Sequence, residues 1–473
     1  MHVSLVGRRN LTGEIYRQLR AAILEGQLRG GEALPPTREL AARLSVSRGT
    51  VSTAYDRLIG EGFATARVGS GTYVTHNLAA TGRQRRPRTT ALQPRRLWED
   101  VSLPVSMWRP ARYNFLAGVP DARLFPYEAW RRLLAREFDP RTATCAYGHP
   151  AGHAGLRAAI ARHVGISRGI RADADDVVVT NGTQQAIDLV ARVLAAPGDR
   201  VAVENPGYGP PRRLLKSLGL RVCGVTVDDE GLMVDGIPPE TRFVYVSPSH
   251  QFPLGMSMSL HRRLALLDWA RRTGAAIVED DYDSEFRFDG RPIEPLHMLD
   301  TQGRVIYVGS FSKTMLPTLR LGFLIAPPSL SASLVAAKFL ADWHSPLATQ
   351  AAMARFIDDG LFARHIRHMR SVYEARHRLI EEVLARSFAD ELDVVRSYVG
   401  LHVAARARNA AVDAIAEVVR RASALGVECA PLSMFAVGNA AQSGVLLGYG
   451  AIARERIEEG LSLLGQALRA ARH

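Results

Sequence analysis

Ser310, Ser312, Lys313 and Arg320 share one short run, Gly309-Ser-Phe-Ser-Lys-Thr-Met-Leu-Pro-Thr-Leu-Arg320-Leu-Gly322. An amine, two hydroxyls and a guanidinium at this spacing suit a bound phosphorylated aldehyde. The amine forms a Schiff base, and the hydroxyls and the planar, permanently charged guanidinium grip the phosphate. Among 60 basic residues only Lys216, Lys313 and Lys338 are lysines, so a lysine in this setting stands out from the composition. Other stretches fit the same chemistry. Gly182-Thr183-Gln184 opens a helical pattern after an apolar run, where free backbone amides hold phosphate; a plain capping turn is the competing reading. Asp280 and Tyr282 lie two apart at a strand end and so on one face. An aspartate there can pair with a protonated pyridine nitrogen, and a phenol beside it with a ring hydroxyl. An acidic surface turn describes Asp281 and Asp283 better than Asp280. Tyr208, in VENPGYGPPR, offers a ring to stack on a flat cofactor, or is a packed turn residue. His250 and Gln251, in SPSHQFPLG, are hydrogen-bonding groups, although a lone histidine there reads more simply as structural.

These residues need strand ends to hold them. Val177–Thr180, 200–203, 243–246, 276–279 and 305–308 are short apolar, β-branched runs. Longer helical patterns such as 184–195 and 261–273 lie between them. The alternation predicts a mostly parallel sheet covered by helices, with ligands at the carboxyl ends of the strands, where the polar motifs fall.

The first 76 residues read differently. Leu11, Ile15, Leu19 and Ile23 recur at helical spacing, with Thr12 as the expected N-cap and Gly26 as a stop. After Pro35-Pro36, Thr37 is placed to cap a short helix carrying Leu40 and Leu44. Ser47 is placed to cap a third helix with Val51, Tyr55 and Leu58 inside. Two capped helices across a tight turn form a helix-turn-helix. The second presents Ser47, Arg48, Thr50 and Ser52 near its N-terminus, where such helices meet bases and phosphates. Residues 63–68, Gly69-Ser70-Gly71 and 72–74 predict a β-hairpin wing. Charge agrees. Residues 1–76 hold ten arginines against six acidic residues, and 77–112 hold eight against two, so most of the net +13 sits at this end. A basic end on a near-neutral body suggests a polyanion-binding module. The Arg- and Pro-rich segment 77–112 reads as a solvated tether. Cys145, Cys223 and Cys429 are unpatterned, implying neither a disulfide framework nor a metal site. With no signal core and no long apolar run, the expectation is a cytoplasmic protein away from membranes.

The run LPPTRELAARLSVSRGTVSTAYDRLIGEGFATARVGSGTYV resembles the winged helix of GntR-type bacterial regulators. The resemblance implies DNA contacts from Arg38, Arg48, Thr50 and the wing around Arg67 and Gly69. Ser52 stands where some relatives carry an arginine, so the base preference does not carry over. Further on, NFLAGVPDARLFP, YGHPAGHAGLRAAI, NGTQQAIDL, SPSHQFPLGM, EDDYDSEFRF, GSFSKTMLPTLRLGF and GLHVAA, in this order, resemble fold-type I aminotransferases that use pyridoxal 5′-phosphate. The combination is similar to the MocR/GabR regulators. It implies a winged helix (1–76), a linker (77–112) and an aminotransferase-like effector domain (113–473), the last with a mostly parallel sheet and a smaller C-terminal α+β part. It implies Lys313 as the Schiff-base lysine, Asp280 on the pyridine nitrogen, Tyr282 on the ring oxygen and Tyr208 near the ring face. Gly182, Thr183, Gln184, Ser310, Ser312 and Arg320 would surround the phosphate. Tyr147 resembles the tyrosine that reaches the partner subunit's phosphate, implying a homodimer.

One departure matters. Many amino-acid aminotransferases carry a carboxylate-clamping arginine where this chain reads Gly444-Val-Leu-Leu-Gly448-Tyr-Gly450. Arg212 is a substitute whose direction the sequence leaves open. The reading is therefore a DNA-binding regulator that senses an amine, an amino acid or pyridoxal phosphate, with at most partial catalysis. The alternative is an active aminotransferase with an accessory DNA-binding domain.

Overall fold

The computed structural model describes residues 10–67, 69–76, 94–98, 101, 111–141, 146–290, 293–408, 411–438 and 442–471. The chain divides into two units, Met1–Asp100 and Val101–His473. Residues 77–93, 99–100 and 102–110, most of the expected linker, lie outside the described residues.

In the first unit, α1 (Leu11–Leu24), α2 (Thr37–Leu44) and α3 (Arg48–Gly60) precede β1 (Ala64–Arg67) and β2 (Gly71–Val74). Ile15, Leu19 and Ile23 pack with Leu40, Val51, Tyr55 and Leu58 in one core. Two caps differ from the expectation. Asn10, not Thr12, caps α1: it adopts the left-handed conformation that asparagine tolerates, and its side chain accepts from the Gly13 amide. Thr37 is the first helical residue of α2, because Pro36 already supplies the extended entry. Ser47 caps α3 as expected, accepting from the Thr50 amide at 3.1 Å. The wing pairs antiparallel from Ala64↔Val74 to Arg67↔Gly71.

The second unit runs β3 (Tyr113–Asn114), α4 (Tyr127–Arg136), α5 (Ala154–Arg168), β4 (Val177–Thr180), α6 (Thr183–Leu194), β5 (Arg200–Asn205), α7 (Gly209–Ser217), β6 (Arg221–Asp228), β7 (Gly231–Leu232), β8 (Thr241–Val246), α8 (Leu260–Thr273), β9 (Ala276–Asp281), α9 (Leu296–Leu299), β10 (Val305–Ser310) and β11 (Gly322–Ile325). Strands β4-β11-β10-β9-β8-β5-β6-β7 form one sheet in that spatial order. Only β11 and the short β7 run against the rest. Both faces are covered. Val178, Tyr245, Val278, Ile306 and Leu324 pack against α6, α7 and α10 (Pro328–Asp342). On the other face, Val177, Val179, Tyr307 and Phe323 pack against α4, α5, α11 (Leu347–Asp358) and the start of α12 (Leu361–Ser387). Ala202, Val244 and Ile277 pack against α8. Burial on both faces is why these strands read as continuous apolar runs rather than alternating ones.

The C-terminal part contains β12 (Leu392–Val394), β13 (His402–Ala407), α13 (Val412–Ala424), β14 (Val427–Glu428), β15 (Ala430–Pro431), β16 (Gly444–Gly448) and α14 (Ile457–Ala470). Strands β12-β13-β16-β15 make an antiparallel sheet. Its core joins Val403, Val445 and Leu447 to α12, α13 and α14. Tyr113-Asn114 pairs parallel with β14, so the start of this unit is built into its C-terminal part.

Candidate functional site

The parallel strands end at one edge, and the polar residues expected to act together meet there. Lys313 follows β10, and its Nζ donates to the Gly118 carbonyl at 2.8 Å. Gly118 has φ +74, which favours glycine, and a Cβ there would stand 2.7 Å from Nζ and push the amine aside. Burial lowers the Lys313 pKa, opposed by the charges of Asp283 and Asp280. A lowered pKa leaves more of the amine neutral and nucleophilic.

Asp280, on β9, is 3% exposed. Its Oδ2 accepts from the Tyr245 hydroxyl at 2.5 Å, while Oδ1 is buried with no partner among the described residues. Burial pushes Asp280 up to about 7, with the Tyr245 hydrogen bond opposing. A buried acceptor without a donor costs free energy, and a protonated pyridine nitrogen is the donor it lacks. The Tyr282 hydroxyl donates to the His250 carbonyl at 2.9 Å and lies 3.1 Å from His250 Nδ1. Tyr208 stands at the head of α7 with its ring edge-on to Phe252 at 5.4 Å.

The phosphate-type residues also converge. Gly182, at φ +83, caps α6 without a side-chain bond. The amides of Thr183 and Gln184 find no acceptor among the described residues, leaving a helix N-terminus open for an anion. The Gln184 side chain is used elsewhere, donating to the Pro210 carbonyl at 3.3 Å. Arg320 sits in the left-handed conformation at φ 51 and donates to the Asn181 carbonyl. A Cβ on Gly182 would lie 3.0 Å from the Arg320 guanidinium, so the turn and the guanidinium touch. Ser310 Oγ accepts from the Ser312 amide at 3.1 Å, which fixes the turn before Lys313. Buried Lys338 pairs with Asp342, whose Oδ2 accepts from Asn181 Nδ2 at 2.7 Å and Gln185 Nε2 at 2.8 Å. The cradle is thereby pinned from α10.

Four residues stand apart or were missed. Tyr147 is 78% exposed, with its ring against Trp343 at 4.3 Å. Arg212 spends its guanidinium on the Ala436 carbonyl at 2.6 Å. Tyr245 and Gly118 escaped the sequence reading. Tyr245 hid in an apolar strand, and Gly118 is distant in sequence from Lys313. Leu446, on the strand that lacks the clamping arginine, is fully buried among Leu254, Met256, Ala404 and Leu432. Neither acidic neighbour of Asp280 is the surface residue expected. His250 and Asp283 are hydrogen-bonded at 2.9 Å and fully buried. Asp281 is buried against Arg168 at 2.7 Å and accepts from the Tyr307 hydroxyl. Gln251 holds its own turn, accepting from the Leu254 amide and donating to the Pro206 carbonyl.

In the first unit, Arg38, Ser47, Arg48, Arg67 and Gly69 are exposed, and Thr50 is partly exposed. Arg48 Nε reaches Thr37 Oγ1 at 3.4 Å, tying the head of α3 to that of α2. Arg67 lies over the Tyr73 ring at 4.6 Å, and Gly69 turns the wing at φ +76 with open space beside it. Among the described residues, no helix is long and apolar enough to cross a membrane.

Residues 11–74 match the family model for bacterial regulatory proteins of the gntR family, and residues 115–444 match aminotransferase class I and II. The chain is 38% identical to the probable rhizopine catabolism regulatory protein MocR of Rhizobium meliloti, over 96% of this chain and 93% of that protein. It is 30% identical to the pyridoxine biosynthesis transcriptional regulator PdxR of Corynebacterium glutamicum, over 92% and 91%. Among solved structures it is similar to LysN, an α-aminoadipate aminotransferase from Thermus thermophilus complexed with N-(5′-phosphopyridoxyl)-L-leucine. That likeness has a TM-score of 0.69 and 30% identity, and covers 76% of this chain and 92% of the other.

Proposed function

As the chain belongs to the gntR family of bacterial regulatory proteins and joins that domain to a class I and II aminotransferase domain, we propose that it senses an amine, an amino acid or pyridoxal 5′-phosphate and converts the signal into altered DNA binding. It is a DNA-binding transcriptional regulator, and its cofactor is pyridoxal 5′-phosphate. When bound, this cofactor supplies an aldehyde for amines and a ring that takes up electrons. Lys313 would be the amine that meets the aldehyde, and Asp280 Oδ1 would accept a hydrogen bond from the protonated ring nitrogen. Tyr282 faces the ring oxygen and Tyr208 the ring face. Gly182, Thr183, Gln184, Ser310, Ser312 and Arg320 hold the phosphate. Arg38, Ser47, Arg48, Thr50, Arg67 and Gly69 meet DNA. The exposed Tyr147 reaches a second copy's phosphate, so the working unit is a homodimer, and it acts in the cytoplasm.

The observation that carries the cofactor reading is the orphaned Asp280 Oδ1 at the same strand edge as half-buried Lys313 and an open helix N-terminus. Lys313→Ala should abolish the borohydride-reducible adduct with pyridoxal phosphate. An adduct of unchanged yield would mean that another lysine does the work. Catalysis is at most partial, because β16 offers apolar Leu446 where a clamp would stand and Arg212 is engaged. Steady turnover of a common amino acid at about 10 per second, an ordinary enzyme rate, would favour the active-aminotransferase alternative instead.

A further inference from the structure

His250, Asp283 and His402 form a buried cluster that the chemistry above leaves unused. His250 Nδ1 lies 2.9 Å from Asp283 Oδ1. The His250 ring stacks on His402 at 4.5 Å and on Tyr282 at 5.7 Å. The Tyr282 hydroxyl is held by the same residue, at 3.1 Å from Nδ1 and 2.9 Å from the carbonyl oxygen. Gly400 closes over the pair. With φ +90, it comes so near that a Cβ would stand 2.0 Å from His250 Cε1 and 2.5 Å from Asp283 Oδ2.

The origin of these residues gives the cluster its meaning. His250, Tyr282 and Asp283 follow β8 and β9 of the large sheet, whereas Gly400 and His402 lie at the start of β13 in the C-terminal part. The cluster is therefore a joint between the two, directly behind Tyr282. Burial disfavours charge on every member: it holds His250 and His402 down to about 3 and lifts Asp283 to about 8. The Asp283–His250 pair then shares one proton between Oδ1 and Nδ1 without separating charge. Ligand-type atoms of the three residues lie within 4.8 Å of one another, but Nδ1 and Oδ1 already satisfy each other, so the arrangement needs no cation.

We propose that the Asp283–His250 pair, clamped by Gly400 and His402, positions the Tyr282 hydroxyl against the cofactor ring, so that the seating of the C-terminal part is read at the ring oxygen. The proposal rests on the reading of Tyr282 as the ring-oxygen partner. When the hydroxyl turns its proton to the cofactor, the stacked His250 ring, fixed by Asp283 and His402, still holds the phenol ring in place. A donor to the ring oxygen favours that oxygen's anion. Losing the donor, or its aim, must move the titration of the bound cofactor upward in pH.

The test is a double-mutant cycle on full-length holoprotein, read as the midpoint of the pH-dependent change in visible absorption. Tyr282→Phe should raise the midpoint by about one pH unit, the scale of one hydrogen bond. Asp283→Ala should raise it by a comparable amount, and the double variant by no more than Tyr282→Phe alone. Asp283→Asn keeps an uncharged hydrogen-bonding partner and should stay close to the parent. The cycle is needed because other groups face this site: Asp280, Asp281 and Glu204 face Tyr282, Arg287 and His377 face His250, and Lys313 faces Asp283. A charge effect on any of these would persist in the Tyr282→Phe background, so full additivity overturns the proposal. So does an unmoved midpoint in Asp283→Ala. If Asp283→Ala fails to hold cofactor, His250→Asn goes through the same cycle with the same outcomes. If Tyr282→Phe alone moves nothing, the ring-partner reading falls and takes the proposal with it. A parent protein without the absorption band would instead overturn the cofactor assignment.

Discussion

At the scale of single residues, the site is defined by carboxyls forced into a dry environment. Burial lifts Asp280, Glu204 and Glu279 to about 7 and Asp283 to about 8. An unfolded chain titrates such groups near pH 4. Between those values each of these groups binds more protons in the folded protein than in the unfolded one, so its contribution to apoprotein stability should fall as pH rises from about 4 to about 7, opposed by His250 and His402, which burial holds neutral. Asp280→Asn removes one of these groups, so the stability of the variant relative to the parent should rise as pH goes from about 4 to about 7, measured by thermal unfolding at a series of pH values. Bound cofactor should act in the same direction, because a ring-nitrogen cation favours the carboxylate. A slope identical in parent and variant would mean that Asp280 is already ionised in the apoprotein. Residue types were legible here where chemistry demands them. Lys313, Arg320 and Asp280 announced themselves by spacing at strand ends. Tyr245 did not, because a tyrosine in an apolar strand looks like core until the neighbouring strand shows that its hydroxyl meets Asp280.

At the scale of elements, β11 closes the cradle proposed to hold the phosphate. It lies between β10 and β4, pairing Ser310↔Gly322 on one side and Gly322↔Thr180 on the other. Gly322 therefore sits where the Lys313 turn and the Gly182 turn meet. A Cβ on Gly322 would stand 2.8 Å from Gly182 Cα and 3.0 Å from the Gly309 carbonyl oxygen, both main chain. Gly322→Ala should cost about 1–3 kcal/mol of stability, the usual range for overpacking, and weaken cofactor binding by moving the Gly182 turn. Thermal melting and a cofactor titration check both effects. Gly60→Ala, whose Cβ meets nothing within 4 Å, is the matching control. The parallel strands were legible because burial on both faces leaves continuous apolar runs. Three of them ran two residues past the apolar stretch, into Asn205, Asp281 and Ser310, since ladder pairing continues where the side chains turn polar. The antiparallel C-terminal sheet was not resolved in advance: β12 is three residues and β15 two, and they carry almost no period.

At the scale of the whole molecule, the chain couples a reader of DNA to a holder of a small molecule. DNA affinity should fall with salt by roughly 0.9 log unit per log unit of salt for each phosphate neutralised. Arg38→Ala and Arg48→Ala should weaken operator binding, while equal affinity from residues 113–473 alone would remove the winged helix from the assignment. The two-part organisation was legible from charge and motif order, whereas the effector was not, because the run 444–450, where many aminotransferases carry a clamping arginine, has none. The locked pair of Lys338 and Asp342 has a consequence for labelling the protein. Of three lysines, Lys216 is exposed, Lys338 is sealed in its ion pair, and Lys313 lies in the site. An amine-acylating reagent, followed peptide by peptide in a mass spectrometer, then has an internal standard at Lys216 and a blank at Lys338. If Lys313 carries the cofactor as proposed, its yield relative to Lys216 should fall as the site fills, a readout usable in a crude extract where absorption cannot be read.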